Sequence, residues 1–173
     1  MACVLTSSRT LGCRDSVGGI KTIFITELEN KEAITASSGA ITVFTLNTGK
    51  QFWQYDLIKE TAEYEEKIVP STENGSLFYE TELKVMLHKT SVATRNELKL
   101  IAQNRLMIII LDRNGNYWLM GEVNGADLSP SSAKSGKAMG DMNGYELVFT
   151  AKETDGMQSV GSGLIAALIV PAV

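Results

Sequence analysis

Few residues in this chain could carry out acid–base, nucleophilic or metal chemistry. Its 173 residues include one histidine, His88, and two cysteines, Cys3 and Cys13. A zinc site needs several Cys or His ligands at close spacing, and these three residues have neither the number nor the pattern. His88 alternates with lysine and glutamate along a strand-like segment, which favours an exposed strand residue over a catalytic base. The sequence therefore predicts no catalytic, metal-binding or cofactor-binding residue.

Two stretches resemble known ligand-binding motifs but fail on spacing. Residues 112–116 look like the start of a calcium loop, yet Tyr117 stands where the loop needs glycine and Val123 where it needs glutamate. Residues 161–166 match the letters of a dinucleotide fingerprint, but the chain then has no room for the crossover helix and second strand. An Asn-Gly turn and a tail of small residues explain these stretches better.

Glutamates are the remaining candidates for chemistry. Glu63 and Glu65 fall in one strand-like segment, and Glu80 and Glu82 in the next. Paired carboxylates can hydrolyse glycosides. These, however, follow strand-face spacing among lysines, which predicts a solvated face with cross-strand pairs. No enzymatic function is expected.

Composition limits the class of protein further. The chain is 44% hydrophobic and 21% charged, which is typical of a folded protein. Sixteen basic and 20 acidic residues give a net charge of −4, which argues against a general nucleic-acid binder. Two cysteines exclude a framework of several disulfides but leave open one Cys3–Cys13 bond or two reduced thiols. The start of the chain has no charged and apolar signal region, so synthesis in a cytoplasm is expected.

Hydrophobic alternation places the elements that would position these residues. Strands are predicted at residues 20–27, 40–46 and 51–58, with the last two forming a hairpin candidate. Residues 61–69 and 76–88, joined by an Asn-Gly turn, predict a long hairpin near residues 60–88. Its second strand would extend roughly 43 Å, about twice the common length. A hairpin longer than its own core requires suggests a sheet completed by other subunits.

The second half of the chain adds one helix and three more strands. Helix formers behind a cap at Ser91, or a capping box of Thr94 and Glu97, predict an α-helix near residues 91–103. Residues 106–111 are continuously apolar and predict a strand buried on both faces, which an Asn-Gly turn joins to residues 116–122. Residues 124–140 predict a long loop rich in small residues, and residues 144–152 a strand. The apolar tail, residues 163–173, is too short to span a membrane and is expected to be a last strand or a tail packed on the core or a neighbour.

Together these features predict one domain over residues 1–173. Its fold class is mainly β, a sandwich or barrel of about seven to nine strands with one α-helix and the long hairpin. Residues 1–15 form an N-terminal arm. A domain with uncovered edges, an arm and a long loop is typical of a subunit that neighbours complete.

Several stretches resemble the tail-tube-like structural proteins of phages of Bacteroidetes-type hosts. The resemblance runs in the same order over most of residues 12–152, and the apolar tail is not part of it. The stretches that carry it are residues 12–21, 74–80, 94–102, 112–119 and 136–150.

This resemblance implies a virion protein, a tail tube subunit made in the host cytoplasm. Such subunits assemble with themselves into stacked hexameric rings and contact other tail proteins. DNA passes through the tube without sequence-specific binding, and neither a cofactor nor a membrane anchor is expected. The glutamates Glu63, Glu65, Glu80 and Glu82 would face the lumen, where a charge like that of DNA avoids trapping it.

Contacts between subunits are expected in the N-terminal arm and the long loop. The residues predicted to make them are Cys13, Arg14, Asp15, Lys134, Lys137 and Met139.

Two alternatives stay open. Another virion component, a head–tail connector ring or a capsid decoration protein, is also small and mainly β. A monomeric carbohydrate-binding sandwich would use Trp53, Tyr55, Tyr117 and Trp118 as an exposed aromatic platform. A tube subunit forms open-ended cylinders, a connector stops at one ring, a decoration protein binds only shells, and a carbohydrate module stays monomeric.

Overall fold

The computed structural model describes residues 7–170. It contains twelve β-strands, two α-helices and a 3-10 turn, Leu28–Asn30. The strands are β1 Ile20–Glu27, β2 Lys31–Ser37, β3 Ala40–Leu46, β4 Phe52–Asp56, β5 Ala62–Ser71, β6 Ser76–His88, β7 Leu106–Asp112, β8 Tyr117–Met120, β9 Ala126–Lys134, β10 Gly144–Glu153, β11 Gln158–Val160 and β12 Ile169–Val170; the helices are α1 Val92–Gln103 and α2 Ser162–Leu168.

Eight strands form a large sheet centred on β7 and β1. Hydrogen-bonded neighbours follow the order β2-β3-β11-β8-β7-β1-β4-β12. The central strand β7 is apolar along most of its length, and its first five residues are buried. A strand covered on both faces needs no polar alternation, so the prediction of a doubly buried strand is confirmed.

The other four strands form a smaller antiparallel sheet in the order β9-β10-β6-β5. A single register pair, Leu106 with Ala126, joins it to the large sheet. The corner between the sheets requires Gly121, which has a φ of 79°. A Cβ atom there would lie 2.7 Å from both the Ala126 nitrogen and the Leu106 oxygen.

Two hydrophobic cores lie on opposite faces of the large sheet. The first lies between the two sheets and includes Ile23, Ile108, Leu83 and Phe149, with Ile101 of α1 packed against it. The second contains Phe24, Met107 and Ile109 from the alternate positions of β1 and β7. Two covered faces explain why a chain of this size builds two cores around one central strand pair.

The large sheet curls around the second core without closing. The rings of Phe44 in β3 and Phe52 in β4 lie 5.6 Å apart at 90°. No ladder joins β12 to β2 or β3 in the part of the chain that the structure describes. Helix α2 contributes Ile165 and Leu168 to this core. Helix α2 therefore covers apolar side chains that the open side of the curled sheet would otherwise expose to solvent.

The mainly β class, the α-helix near residues 91–103 and the long hairpin are confirmed. The twelve strands exceed the expected seven to nine because short and polar strands, among them β2, β11 and β12, escaped the alternation signal. The hairpin predicted for residues 40–58 is wrong, because β3 pairs with β2 and β11 whereas β4 pairs with β1 and β12.

The prediction of a long loop is wrong, whereas the tail packs on the core as predicted. The long loop expected at residues 124–140 is largely strand β9, which pairs with β10 over most of its length. The Ser and Ala side chains of β9 show no alternation of apolar and polar residues, so its sequence does not indicate a strand. The described part of the apolar tail begins as helix α2 and ends in β12, and residues 171–173 lie outside the described residues. Within the described range, no helix has the length and apolarity to cross a bilayer.

Candidate assembly surface

The small sheet ends in two edges that have no partner strand among the described residues. Strand β5 pairs only with β6, and β9 pairs with β7 only at Ala126. The Met86 N–H donates to the Thr61 carbonyl, which sets the alternation of hydrogen bonds along the hairpin. By that alternation, the backbone groups of Ala62, Tyr64, Glu66 and Ile68 point to the open edge. Pro70, which has no N–H, also faces this open edge, where a sheet tolerates proline because no ladder bond is lost.

One face of the small sheet carries a lattice of acidic and basic side chains, in which Glu65 and Glu82 lie directly opposite each other. Glu63 lies opposite Lys84, and Lys67 lies opposite Glu80. Each of the four predicted glutamates has a lysine Nζ within 4 Å of its carboxylate. The distances are 3.6 Å for Glu63–Lys84, 3.2 Å for Glu65–Lys67, 3.2 Å for Glu80–Lys152 and 2.8 Å for Glu82–Lys84.

The lysines offset most of the acidic charge of the lattice and leave it moderately negative. Glu146 adds a fifth carboxylate and pairs with Lys134, and Asp127, opposite Thr150, adds a sixth, so four lysines face six acidic side chains. The side chains of Glu63 and Glu65 are well exposed, whereas those of Glu80 and Glu82 are about one-third exposed. This face therefore does not present the strongly acidic surface that the glutamates alone suggest.

Hydrogen bonding shifts the pKa values inside this lattice. The Lys84 ammonium donates to Glu82 and lowers the pKa of that carboxyl group, while the same bond raises the pKa of Lys84. The Lys134 ammonium likewise lowers the pKa of Glu146. Both charged states are favoured near neutral pH, so the pairs remain ionised there.

The β9 edge is polar and interrupted by a bulge. The register between β9 and β10 shifts between Glu146 and Val148, next to Pro130. The Val148 N–H donates to the Ser131 hydroxyl, and Ser129 and Thr150 share a hydroxyl hydrogen bond of 2.8 Å. Hydroxyl groups thus replace ladder bonds that the bulge removes.

The tip of the long hairpin extends past the other strands. Strand β10 reaches no further along β6 than Tyr79, so the first three residues of β6, 76–78, pair with β5 alone. Ile68 is 62% exposed and Leu77 is 51% exposed, on the face that elsewhere packs into the core. The apolar face of the hairpin therefore extends past the hydrophobic core, and its apolar side chains at the tip are exposed.

The N-terminal arm lies along the surface before β1. Cys13, Arg14 and Asp15 are exposed there, and Cys3 lies outside the described residues. The arm is attached near its end, where the Asn114 side chain accepts from the Val17 N–H and donates to the Val17 carbonyl. Lys134 is the last residue of β9, and Lys137 and Met139 follow it in the loop before β10.

The turn that holds the arm is built on Asp112. Its carboxylate accepts from the N–H groups of Asn114 and Asn116, the Asn116 amide and the Trp118 indole. Partial burial acts to raise the pKa of Asp112, but these hydrogen bonds outweigh it and the pKa is lowered. The Asp112 carboxylate accepts four hydrogen bonds from its own turn. The residues that resemble a calcium loop therefore have a structural role in this turn.

The four aromatic residues considered as a carbohydrate platform do not form one exposed surface, because Tyr117 packs on the opposite face from the other three. Tyr117 packs 6.3 Å from Phe24, and Trp118 donates to Asp112. Trp53 is 55% exposed on β4, beside the half-buried Tyr55. His88 is exposed at the end of β6. No group of three or more His, Cys, Asp or Glu side chains within residues 7–170 is arranged to hold a metal ion.

Sequence reasoning missed the β9 edge and a small cleft between α1 and β4, which Trp53 and Glu97 help to line. Strand β9 lacks apolar alternation, so its only sequence signal is the Ala-Asp-Leu start before the serines. Comparison with protein-family models, curated proteins and solved structures finds no match to this chain.

Proposed function

We propose that the chain is a virion structural protein, a tail tube subunit that assembles with itself into stacked rings around a conduit for DNA. The observation that carries this proposal is the small sheet, with two open edges and a water-facing lattice of charges. The sequence resemblance to tail-tube-like proteins supports the same function.

The strand order supports ring closure. Because neighbouring strands in β9-β10-β6-β5 are all antiparallel, β9 and β5 run in opposite directions. The β5 edge of one copy can therefore meet the β9 edge of the next and continue an antiparallel sheet. Six copies, the number implied by the resemblance, would give a barrel of about 24 strands, wide enough for an aqueous channel.

The charge lattice suits the inner surface of such a barrel. A cationic surface would hold DNA phosphates through counterion release. Paired glutamates and lysines offer DNA neither a cationic track nor an apolar one, so DNA would pass without sequence-specific binding. Glu63, Glu65, Glu80 and Glu82 remain the lumen candidates in this proposal.

Blocking one sheet edge tests the proposal. Ile68 has its N–H directed to the open edge of β5, so Ile68→Pro removes an outward donor without removing a bond to β6. We expect the native protein to form tubes of constant diameter in negative stain. Ile68→Pro should instead give a folded protein that forms no closed rings.

Ile68→Val is the matched control, because it keeps the N–H and should still assemble. The proposal fails if the native protein stays a monomer of about 19 kDa at every concentration in sedimentation experiments. Single rings that never stack would favour a connector, and binding only to capsid shells would favour a decoration protein.

A further inference from the structure

One loop presents a fully exposed methionine on a rigid support. Met139 lies between β9 and β10 and is as exposed as in an extended chain, at 109%. The Asp141 carboxylate accepts from the Lys137 and Ala138 N–H groups, both at 2.8 Å. Gly136 has a φ of 71°, and a Cβ there would lie 2.4 Å from the Cβ of Asp141. The loop is thus fixed in a shape that projects Met139 outward.

This loop carries one charge of each sign, and its carboxylate is the one held by the loop itself. The Asp141 carboxylate is engaged by backbone N–H groups of its own loop, and these bonds lower its pKa. Lys137, two residues before Met139, is exposed. The loop therefore combines an apolar side chain with an adjacent ammonium group.

A second surface has the complementary character. A cleft of about 50 Å³ lies between α1 and the large sheet, with Trp53, Tyr55, Leu100 and Glu97 among its lining residues. Trp53 is 55% and Leu100 52% exposed. Burial and the nearby Glu97 carboxylate raise the pKa of Tyr55, as expected where the local potential is negative.

The two surfaces lie at opposite ends of helix α1. Asn143, at the end of the loop, accepts from the Lys89 N–H at 2.7 Å and the Thr90 hydroxyl at 2.9 Å, just before α1 begins. Leu100 and Asn104 line the cleft at the other end of α1. Twelve helical residues separate the ends by roughly 18 Å, so the loop cannot reach the cleft of its own chain.

We propose that the loop of residues 135–143 docks Met139 against Trp53 and Leu100 of a second copy, with Lys137 facing Glu97. The inference rests on the proposed self-assembly and names one contact within it. Two different patches meet, so the contact is heterologous and repeats from copy to copy. A methionine thioether packs well against an indole, and opposite charges fix the orientation.

Truncation of either side tests the contact. Met139→Ala and Trp53→Ala should each raise the concentration needed for assembly by about tenfold, measured by pelleting and electron microscopy. The double variant should lose little more than either single variant, because both remove the same contact. Val123→Ala, which shortens another exposed apolar side chain, should leave assembly unchanged.

A charge exchange supplies a second test that does not depend on truncation. Lys137→Glu and Glu97→Lys should each weaken assembly at low salt. The combined variant should restore it, since the two charges again attract. Failure of the combined variant to recover above both single variants would overturn the assigned pairing.

Cross-linking locates the contact directly. In a background with Cys3→Ser and Cys13→Ser, Met139→Cys with Leu100→Cys should give disulfide-linked ladders only after assembly. Val123→Cys with Leu100→Cys should give none. If the native protein assembles but the Met139 pair does not cross-link and truncations have no effect, this inference is wrong and the proposed function stands. If the native protein never assembles, both fail.

Discussion

Glu82 and Lys84 show how single residues offset acidic charge on the polar face of the small sheet. Their side chains lie next to each other on one strand face, and Lys84 also reaches Glu63 on the neighbouring strand. Exposed pairs of this kind contribute little individually, but a lattice fixes several long side chains at once. The pairs stay ionised over a wide pH range, so the charge of this surface changes only in strongly acidic or strongly basic solution.

Glu82→Gln tests the acid limit. Because the folded protein lowers the pKa of Glu82, the stabilisation is present above the ordinary glutamate pKa, about 4.3, and is lost as pH falls through the lower folded value. We expect Glu82→Gln to lower the Tm by about 1–3 °C at pH 7, from the small worth of exposed pairs. The difference from the native protein should shrink as pH falls below about 4.

Thermal melts across the acid range, monitored by circular dichroism, make this measurement. Glu73→Gln, in the turn of the long hairpin, is the matched control and should change the Tm little at any pH. A difference for Glu82→Gln that stays constant to about pH 2 would contradict the assigned pair.

At the scale of elements, the connection between β8 and β9 decides how the two sheets meet. The chain leaves the large sheet after Met120 and enters the small sheet at Ala126. Gly121 has a positive φ there and backbone atoms on the side where a Cβ would stand. A residue other than glycine at this corner would therefore have both a strained φ and a Cβ in conflict with neighbouring backbone atoms.

Gly121→Ala should lower the free energy of unfolding by about 2–4 kcal/mol, since strain and steric conflict add. Gly49→Ala is the matched control, because Gly49 has a similar φ of 80° but nothing within 4 Å of the added Cβ. It should cost only about 1 kcal/mol. Equal losses in urea titrations of the two variants would show that close approach at the corner does not matter.

At the scale of the whole molecule, the charge lattice has its effect only if the small sheet lines a channel. Reversing Glu80 and Glu82 to lysine would place them among Lys67, Lys84 and Lys152 and create a cationic face. The proposed assembly joins the sheet edges and leaves this face free, so tubes should still form. Those tubes should retain DNA at low salt and release it as salt rises.

DNA retention by pelleted tubes, compared with native tubes at several salt concentrations, measures this effect. Glu29→Lys with Glu32→Lys adds the same charge near β2 and should not give the same retention. If the Glu80 and Glu82 reversal prevents assembly, this face is not free in the ring and the lumen assignment is wrong.

Strong periodicity explains which parts of the fold were predictable from sequence. The alternation in β6, the Asn-Gly turns and the continuous apolar run of β7 are local signals, and each predicted its element correctly. Strand β9 has serines and alanines where a core strand has apolar residues, and its strand state depends on pairing with β10. The tail begins as helix α2, and its helical spacing places Ile165 and Leu168 on the side that packs into the second core.

The sequence by itself determined the mainly β class, the long hairpin, the helix α1 and the scarcity of reactive side chains, because each depends on local composition or spacing. Only the tertiary structure decided which lysine lies beside each glutamate, which edges of the small sheet stay open, and that Met139 and Trp53 lie at opposite ends of α1. Those relations join residues far apart in the chain, and they arise from strand pairing and from the packing of two cores on one sheet.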